Sequence, residues 1–415
     1  MSANSSPHAS PALSTKVVLL FAIACGLAVG NVYYAQPLLD AMAHTFDLAP
    51  ATVGIVITLT QVGYGLGLLL LVPLGDLYNR RRLIVTQTLL SVLALLTVAL
   101  APSSAWLLLG MACIGLLAVV TQVLVAYAAN LAPAEQRGRT VGMVTSGVVV
   151  GILLARTVAG TMADLAGWRS VYLLSAGLTL VVALALWKTL PTREQPKATQ
   201  GYGQLLGSLL QLFREEKVLR DRAVLAMLIF AAGTVLWTPL VLPLSAPPLS
   251  LSHTEIGLFG LAGAAGALGA ARAGHLADRG LAQWTSGLAL GLMLLSWLPI
   301  AFTQSSLWAL LFGVISFDLG LQAVHVTSQS LIYSVRPEAQ SRLAAGYMLF
   351  YSLGSAAGSI AATATYAWAG WTGVCLLGAG INGVALIYWL WSLAPGKAAA
   401  RVRCCLLYTS PSPRD

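Results

Sequence analysis

Twelve stretches of about 20 mostly apolar residues recur along this chain, each long enough to cross the roughly 30 Å hydrocarbon core of a bilayer as a helix. They lie at about 17–40, 50–74, 82–101, 104–131, 138–162, 168–190, 223–246, 252–276, 282–303, 306–334, 341–366 and 370–394, and are numbered here as helices 1 to 12. Backbone in lipid must satisfy its own hydrogen bonds, so runs of this length fold as helices. An all-α integral membrane protein follows. Only 9% of the 415 residues are charged and 58% are hydrophobic, whereas soluble domains carry about 25% charged residues. A surface so poor in charge faces lipid. That excludes a water-soluble enzyme or a nucleic-acid binder, despite the net charge of +9.

The positive charge has a topological origin. Arg80, Arg81 and Arg82 follow helix 2, and Arg137 and Arg139 follow helix 4. Seven more basic residues run from Lys188 to Arg222, with Arg272 and Arg279 after helix 8 and Arg336 and Arg342 after helix 10. The alternate loops carry almost none, Arg169 being the exception. By the positive-inside rule both termini are expected in the cytoplasm, and the chain in a bacterial inner membrane.

The sequence repeats itself at an offset of 199 to 204 residues. GDLYNRRR from Gly75 answers GHLADRG from Gly274, and PAEQRGRTVG from Pro133 answers PEAQSRLAAG from Pro337. The triplet AGW at Ala166 returns at Ala369, and Pro37 of helix 1 answers Pro239 of helix 7. Two six-helix bundles are therefore expected, at 17–190 and 223–394, with a solute site near the midplane between them. Residues 1–16 read as a disordered cytoplasmic tail, 191–222 as a cytoplasmic linker with a surface helix, and 395–404 as a second tail. Residues 405–415, CLLYTSPSPRD, read as a sequencing-adapter remnant and are set aside.

The loop and helix motifs resemble those of the major facilitator superfamily. After helix 2, VPLGDLYNRR matches the family loop at Leu74, Asp76, Arg80 and Arg81, and departs from it at Val72, Leu77 and Asn79. The copy after helix 8, GHLADRG, matches more fully, through Asp278 and Arg279. The resemblance implies a breakable latch on one face, with Asp76 pairing near Arg137 and Arg139. Gly147 and Gly151 fit the glycine frame of the family's antiporter motif in helix 5, although Val148 and Ile152 replace its proline and last glycine. Glycines four apart predict close helix packing. Where proton-coupled exporters carry an arginine in helix 4, this chain has Met111. The string NVYYAQPLL in helix 1 resembles a subgroup grouped with drug and metabolite exporters.

Two side chains that are ionised at neutral pH fall well inside the spans, Arg156 in helix 5 and Asp318 in helix 10. Each costs roughly 2.5–3.5 kcal/mol at a helix centre, so each is a functional candidate. Asp318, Gln322, His325 and Gln329 fall within about 60° of arc, a polar stripe on an apolar helix. A carboxyl and an imidazole on one wet face suit proton binding. Asp318 and His325 are therefore the expected proton-coupling residues, with Arg156 a partner for Asp318 or for an anionic group. Helices 1, 4, 7 and 10 line the cavity in this superfamily. The expected cavity residues are accordingly Asn31, Tyr33, Tyr34, Gln36, Gln61, Gln122, Arg156, Trp237 and Gln322.

The sequence shows no nucleotide-binding loop and no metal-ligand spacing, so no cofactor is expected and energy must come from an ion or solute gradient. The leading expectation is a monomeric, proton-coupled exporter of a small organic solute, its partners being that solute, protons and the lipid bilayer. A sugar or organic-acid importer is the alternative, and a non-transporting membrane sensor is the reading from another class.

Overall fold

The computed structural model describes residues 14–133, 136–190, 201–336 and 339–393. Both tails, the adapter-like residues 405–415 and the first part of the linker lie outside them. The described residues form twelve membrane helices and one linker helix, with no strand among them. Nine helical stretches are long and apolar enough to span a bilayer on that criterion alone. One of the nine, Arg342–Leu393, is two helices. Gly370 breaks it, at φ 60° and ψ −160°, where a side chain would be strained. Helix 2, Ile55–Leu70, and helix 8, His253–Leu276, complete the twelve.

The repeated prolines break helices 1 and 7 at corresponding places. Helix 1 runs Thr15–Tyr33, tightens into a turn at Gln36–Leu38, and resumes over Leu39–Phe46. Helix 7 runs Lys217–Trp237 and resumes over Val241–Ser245. Proline lacks an N–H and clashes with the preceding turn, so Pro37 and Pro239 interrupt the ladder where the two halves meet. Helix 4 is divided at Val119 into Ser104–Ala118 and Val120–Leu131.

Glycine sets the close approaches within each half. A Cβ on Gly147 or Gly151 would overlap the carbonyl oxygens of Ala22 and Gly26, which brings helix 5, Arg137–Ala166, onto helix 1. Gly354 and Gly358 meet Met227 and Ala231 in the same way, bringing helix 11 onto helix 7. The glycine frame read from the sequence is thus a packing device present in both halves. Away from the core, Trp284, Leu288, Trp308, Trp368 and Leu376 are largely exposed, as a lipid-facing surface requires.

The linker helix, Tyr202–Glu215, touches both halves. Tyr202 Oη donates to the backbone oxygens of Leu69 and Leu70 at the end of helix 2. Glu215 and Glu216 hold Arg336 at the end of helix 10, at 2.8 and 2.6 Å. A hydrogen bond from Gln211 Nε2, aided by Arg336, keeps the Glu215 carboxyl below its usual range. The Glu215 arm of the clamp is therefore complete above the ordinary glutamate value of about 4.3 and is lost at lower pH, as the carboxyl protonates at its depressed value. Amide exchange of the linker helix, corrected for intrinsic rates, is expected to quicken below that pH. In Arg336→Gln it should be fast at every pH.

Candidate functional site

Arg156 and Asp318, two of the charges buried among the spans, meet at the seam between the halves. Arg156, 6% exposed, comes from helix 5, and Asp318, 8% exposed, from the middle of helix 10, Leu307–Val335. Trp237, the last residue before the break in helix 7, joins them. Its ring lies 3.8 Å from the Arg156 guanidinium carbon, and its Nε1 donates to Asp318 Oδ1 at 3.3 Å. From helix 1, Gln36 Oε1 accepts from Arg156 Nε at 2.7 Å, and the Tyr33 ring lies 5.3 Å from the guanidinium. The proline breaks create this arrangement, because Gln36 and Trp237 sit at the two interrupted turns.

Helix 8 supplies the floor of the site. Gly257 and Gly260 lie against Arg156, while Gly263 and Gly266 lie against Asp318. Glycine at this three-residue spacing keeps one face of the helix bare, so both charges approach its backbone. Burying a guanidinium is offset here by a charged hydrogen bond of about 1.5–3 kcal/mol and a desolvated cation–π contact of about 2 kcal/mol. Arg156→Lys keeps the charge but loses the planar stack and the Nε bond. It is expected to lower the thermal midpoint in detergent, by about 1.5–3 kcal/mol of stability.

The other expected cavity residues divide into two groups. Tyr33 Oη bonds Tyr351 Oη of helix 11 at 3.0 Å, and Gln61 accepts through its carbonyl from Ser352 Oγ. Gln122 donates to Tyr64 Oη at 3.4 Å, and Gln322 lies on Gly266 of helix 8. Asn31 and Tyr34 instead turn into the first bundle, onto helix 6, Trp168–Thr189. There Asn31 Oδ1 accepts from Ser175 Oγ at 2.6 Å, and Tyr34 packs edge-on to Tyr172. Met111, in the place of the missing helix 4 arginine, is buried in the same bundle with its sulfur accepting from Tyr172 Oη.

His325 lies seven residues beyond Asp318, about 10 Å along the helix. It bonds Tyr347 Oη through Nδ1 at 2.9 Å and stands edge-on to Phe230. On the arginine-bearing face, Arg80 Nε donates to Gly75 O, Arg81 to Trp187 O, and Arg137 Nε to Ala129 O. Arg139 and Arg279 are exposed. The side chains of Asp76 and Asp278, on which the latch depends, lie outside the described residues.

Three contacts of the seam join residues that no local sequence pattern connects, although Thr58 and Asp40 are polar positions within apolar helices. Tyr351 gathers Tyr33, Tyr64 and Phe230 from three other helices. Thr58 of helix 2 bonds Ser359 of helix 11, and Thr363 donates to Ala51 O. On the face away from the arginines, His253 at the start of helix 8 reaches Asp40 and Asp164 of the first half. Among the described residues, the contacts seen between helices 5 and 8 include those from Leu153 to Asp164, on the side remote from the arginines.

A broken-helix pair, two repeated bundles and glycine-set helix contacts accompany a match to one family. The profile of the Major Facilitator Superfamily matches residues 19–348 and 251–403. The chain belongs to this superfamily. It is a multi-pass membrane transporter and not an enzyme. It is 49% identical over 377 residues to the putative uncharacterized transporter YgaY of Escherichia coli K12, which covers 91% of this chain and 95% of YgaY. It is 31% identical over 361 residues to the probable transporter SCO4007 of Streptomyces coelicolor, covering 86% and 83%. Among solved structures, a bacterial homologue of the human lysosomal transporter Spinster, inward-facing and unoccupied, superposes with a TM-score of 0.74. That match has 15% identity and covers 92% of this facilitator and 99% of the homologue.

Proposed function

We propose that this facilitator is a proton-coupled exporter of small organic solutes in a bacterial inner membrane, with both termini cytoplasmic and Asp318 carrying the coupling proton. The observation that carries this reading is the Arg156–Trp237–Asp318 contact, in which one charge from each half meets across the seam. A carboxylate withdrawn from water must be neutralised or strongly bonded before helices close over it. At Asp318 a proton can do this, or a donor group of the solute can, and the two compete for the same oxygens. Such competition is the basis of exchange. Arg156 supplies the balancing charge for that carboxylate once its proton has left toward the cytoplasm.

Further support comes from the sequence. The basic loops favour a cytoplasmic position for the arginine-bearing face, and the glycine frame of helix 5 resembles that of antiporters. Gln36, Trp237, Tyr33 and Tyr351 offer aromatic faces and polar tips, which suit a partly polar organic solute. The remaining gating residues read from the sequence, Asp76 with Arg137 and Arg139, and Asp278 with Arg279, belong to the cytoplasmic closure in this scheme. His325 with Tyr347 would relay protons below Asp318. The test is a solute screen in a strain lacking its main exporters. Expression of the chain should lower accumulation of at least one compound class, and Asp318→Asn should abolish that protection. Equal accumulation with and without the chain, across a broad panel, would contradict export.

A further inference from the structure

About 15 Å along helix 8 from Gly263, which faces Asp318, three titratable side chains from both halves converge. His253 Nδ1 lies 2.9 Å from Asp164 Oδ1, and its Nε2 lies 3.1 Å from Asp40 Oδ1. Asp40 belongs to the resumed part of helix 1 and Asp164 to the end of helix 5, so both carboxylates come from the first half and the imidazole from the second.

The local sequence explains why the ring is held there. Ser252 and Glu255 form a capping box that starts helix 8, with Glu255 Oε2 accepting from Ser252 N and Ser252 Oγ accepting from Glu255 N. Asp164 then caps the same helix from the other half. It accepts from His253 N at 3.2 Å, Thr254 N at 2.7 Å and Thr254 Oγ1 at 2.6 Å. Gly160, one turn earlier, lets helix 5 touch the His253 carbonyl, since a Cβ there would overlap it.

A neutral imidazole carries one N–H and one lone pair. Here both ring nitrogens face carboxylate oxygens, so one of the two contacts would set a lone pair against an acceptor unless a second proton is present. Asp164 is surrounded by donors and is held as the carboxylate. The extra proton therefore lies between His253 and Asp40. Other charges do not replace it. Glu255 is turned to Ser252, His44 and Asp47 beyond Asp40 are exposed, and Arg156 lies further along helix 5 on Gly257. Arg169 is engaged by Ala101 O and the Trp168 ring. The packed segments Gln36–Leu38 and Val241–Ser245 bring no titratable group.

We propose that His253, Asp40 and Asp164 form a second proton-binding site, which takes a proton from the outer medium when the two halves close over it. Its position at the outer end of the helices rests on the orientation given above, and its chemistry is independent of Asp318. Opening of the outer face separates the imidazole from both carboxylates and returns it to its ordinary affinity, near pH 6.5. The closed form binds the proton more tightly, so closure is favoured at low pH and fades as pH rises through the closed-state value. One linked proton changes the closed-to-open ratio by at most about tenfold per pH unit. A proton arriving from outside thus shuts the outer gate behind it, before Asp318 is exposed to the cytoplasm.

The experiment uses the full chain in nanodiscs, in a cysteine-free background with spin labels at Ala49 and Gln304, two exposed loop positions on the same face in opposite halves. The short-distance population should fall as pH is raised from about 5.5 to about 9, a range that brackets histidine titration. In His253→Gln that dependence should vanish, and in Asp40→Asn its midpoint should move to lower pH. His253→Lys, a permanent cation, should stay closed throughout. Asp318→Asn should keep the wild-type dependence, which separates this site from the coupling carboxylate. A wild-type distance that ignores pH, or a transition that survives in His253→Gln, would overturn the proposal.

Discussion

Asp318→Asn is expected to abolish solute accumulation driven by a pH gradient while leaving the fold intact. Asparagine is nearly isosteric and still accepts from Trp237 Nε1, so the hydrogen bond recorded at 3.3 Å is retained. What it loses is the proton. With one proton exchanged per solute, a gradient of one pH unit supports a solute ratio of about tenfold, equivalent to about 1.4 kcal/mol. The variant should equilibrate the solute to a ratio of about one, measured as radiolabelled solute in proteoliposomes with an imposed gradient. Retention of the tenfold ratio would place the coupling proton elsewhere. Arg156→Gln should act differently, since the cation that balances the deprotonated carboxylate is removed. Exchange should slow, because the halves then close over an unpaired charge.

The second large effect concerns conformation rather than chemistry. Gly160→Ala places a methyl group into the carbonyl of His253, in the other half, whereas Gly147→Ala places one into Ala22, in the same half. Overpacking of this kind costs typically 1–3 kcal/mol. In Gly147→Ala the cost falls on the stability of the first bundle. In Gly160→Ala it falls on the outer closure alone, and shifts the population toward the outward-open form by roughly 5- to 150-fold. Modification by an impermeant thiol reagent of a cysteine placed at Leu153, which faces Gly263 across the seam, should quicken accordingly. Gly142→Ala, whose Cβ meets nothing within 4 Å, serves as the control. An unchanged rate in Gly160→Ala would show that this contact does not hold the gate.

Much of this architecture was legible in the sequence because lipid makes apolarity a measure of length. The twelve helices, the repeat and the two prolines follow from that constraint. Arg156 and Asp318 stood out for the same reason, since a charge in an apolar run has few structural explanations. Other residues gave no such signal. His253 opens a capped helix, Asp164 closes another, and the 89 and 213 residues that separate His253 from its two partners leave nothing local to connect them. Asn31 and Tyr34 sit beside Tyr33 and Gln36 in sequence, yet helical rotation turns the first pair onto helix 6 and the second onto the seam. Polarity marked the segment, and only packing distinguished its faces. Tyr351 was invisible for the opposite reason: a tyrosine in an apolar helix reads as core until three other helices are seen to converge on it.

Exchange of solute for protons at Asp318 is tested most directly by following protons and solute together. Proteoliposomes holding the purified chain are placed in weakly buffered medium, an exported compound is added outside, and external pH and solute uptake are recorded. Exchange predicts that solute entry acidifies the medium in proportion to uptake, and that Asp318→Asn gives no pH change. Alkalinisation of the medium, or solute entry by the wild type with no proton movement, would contradict the account.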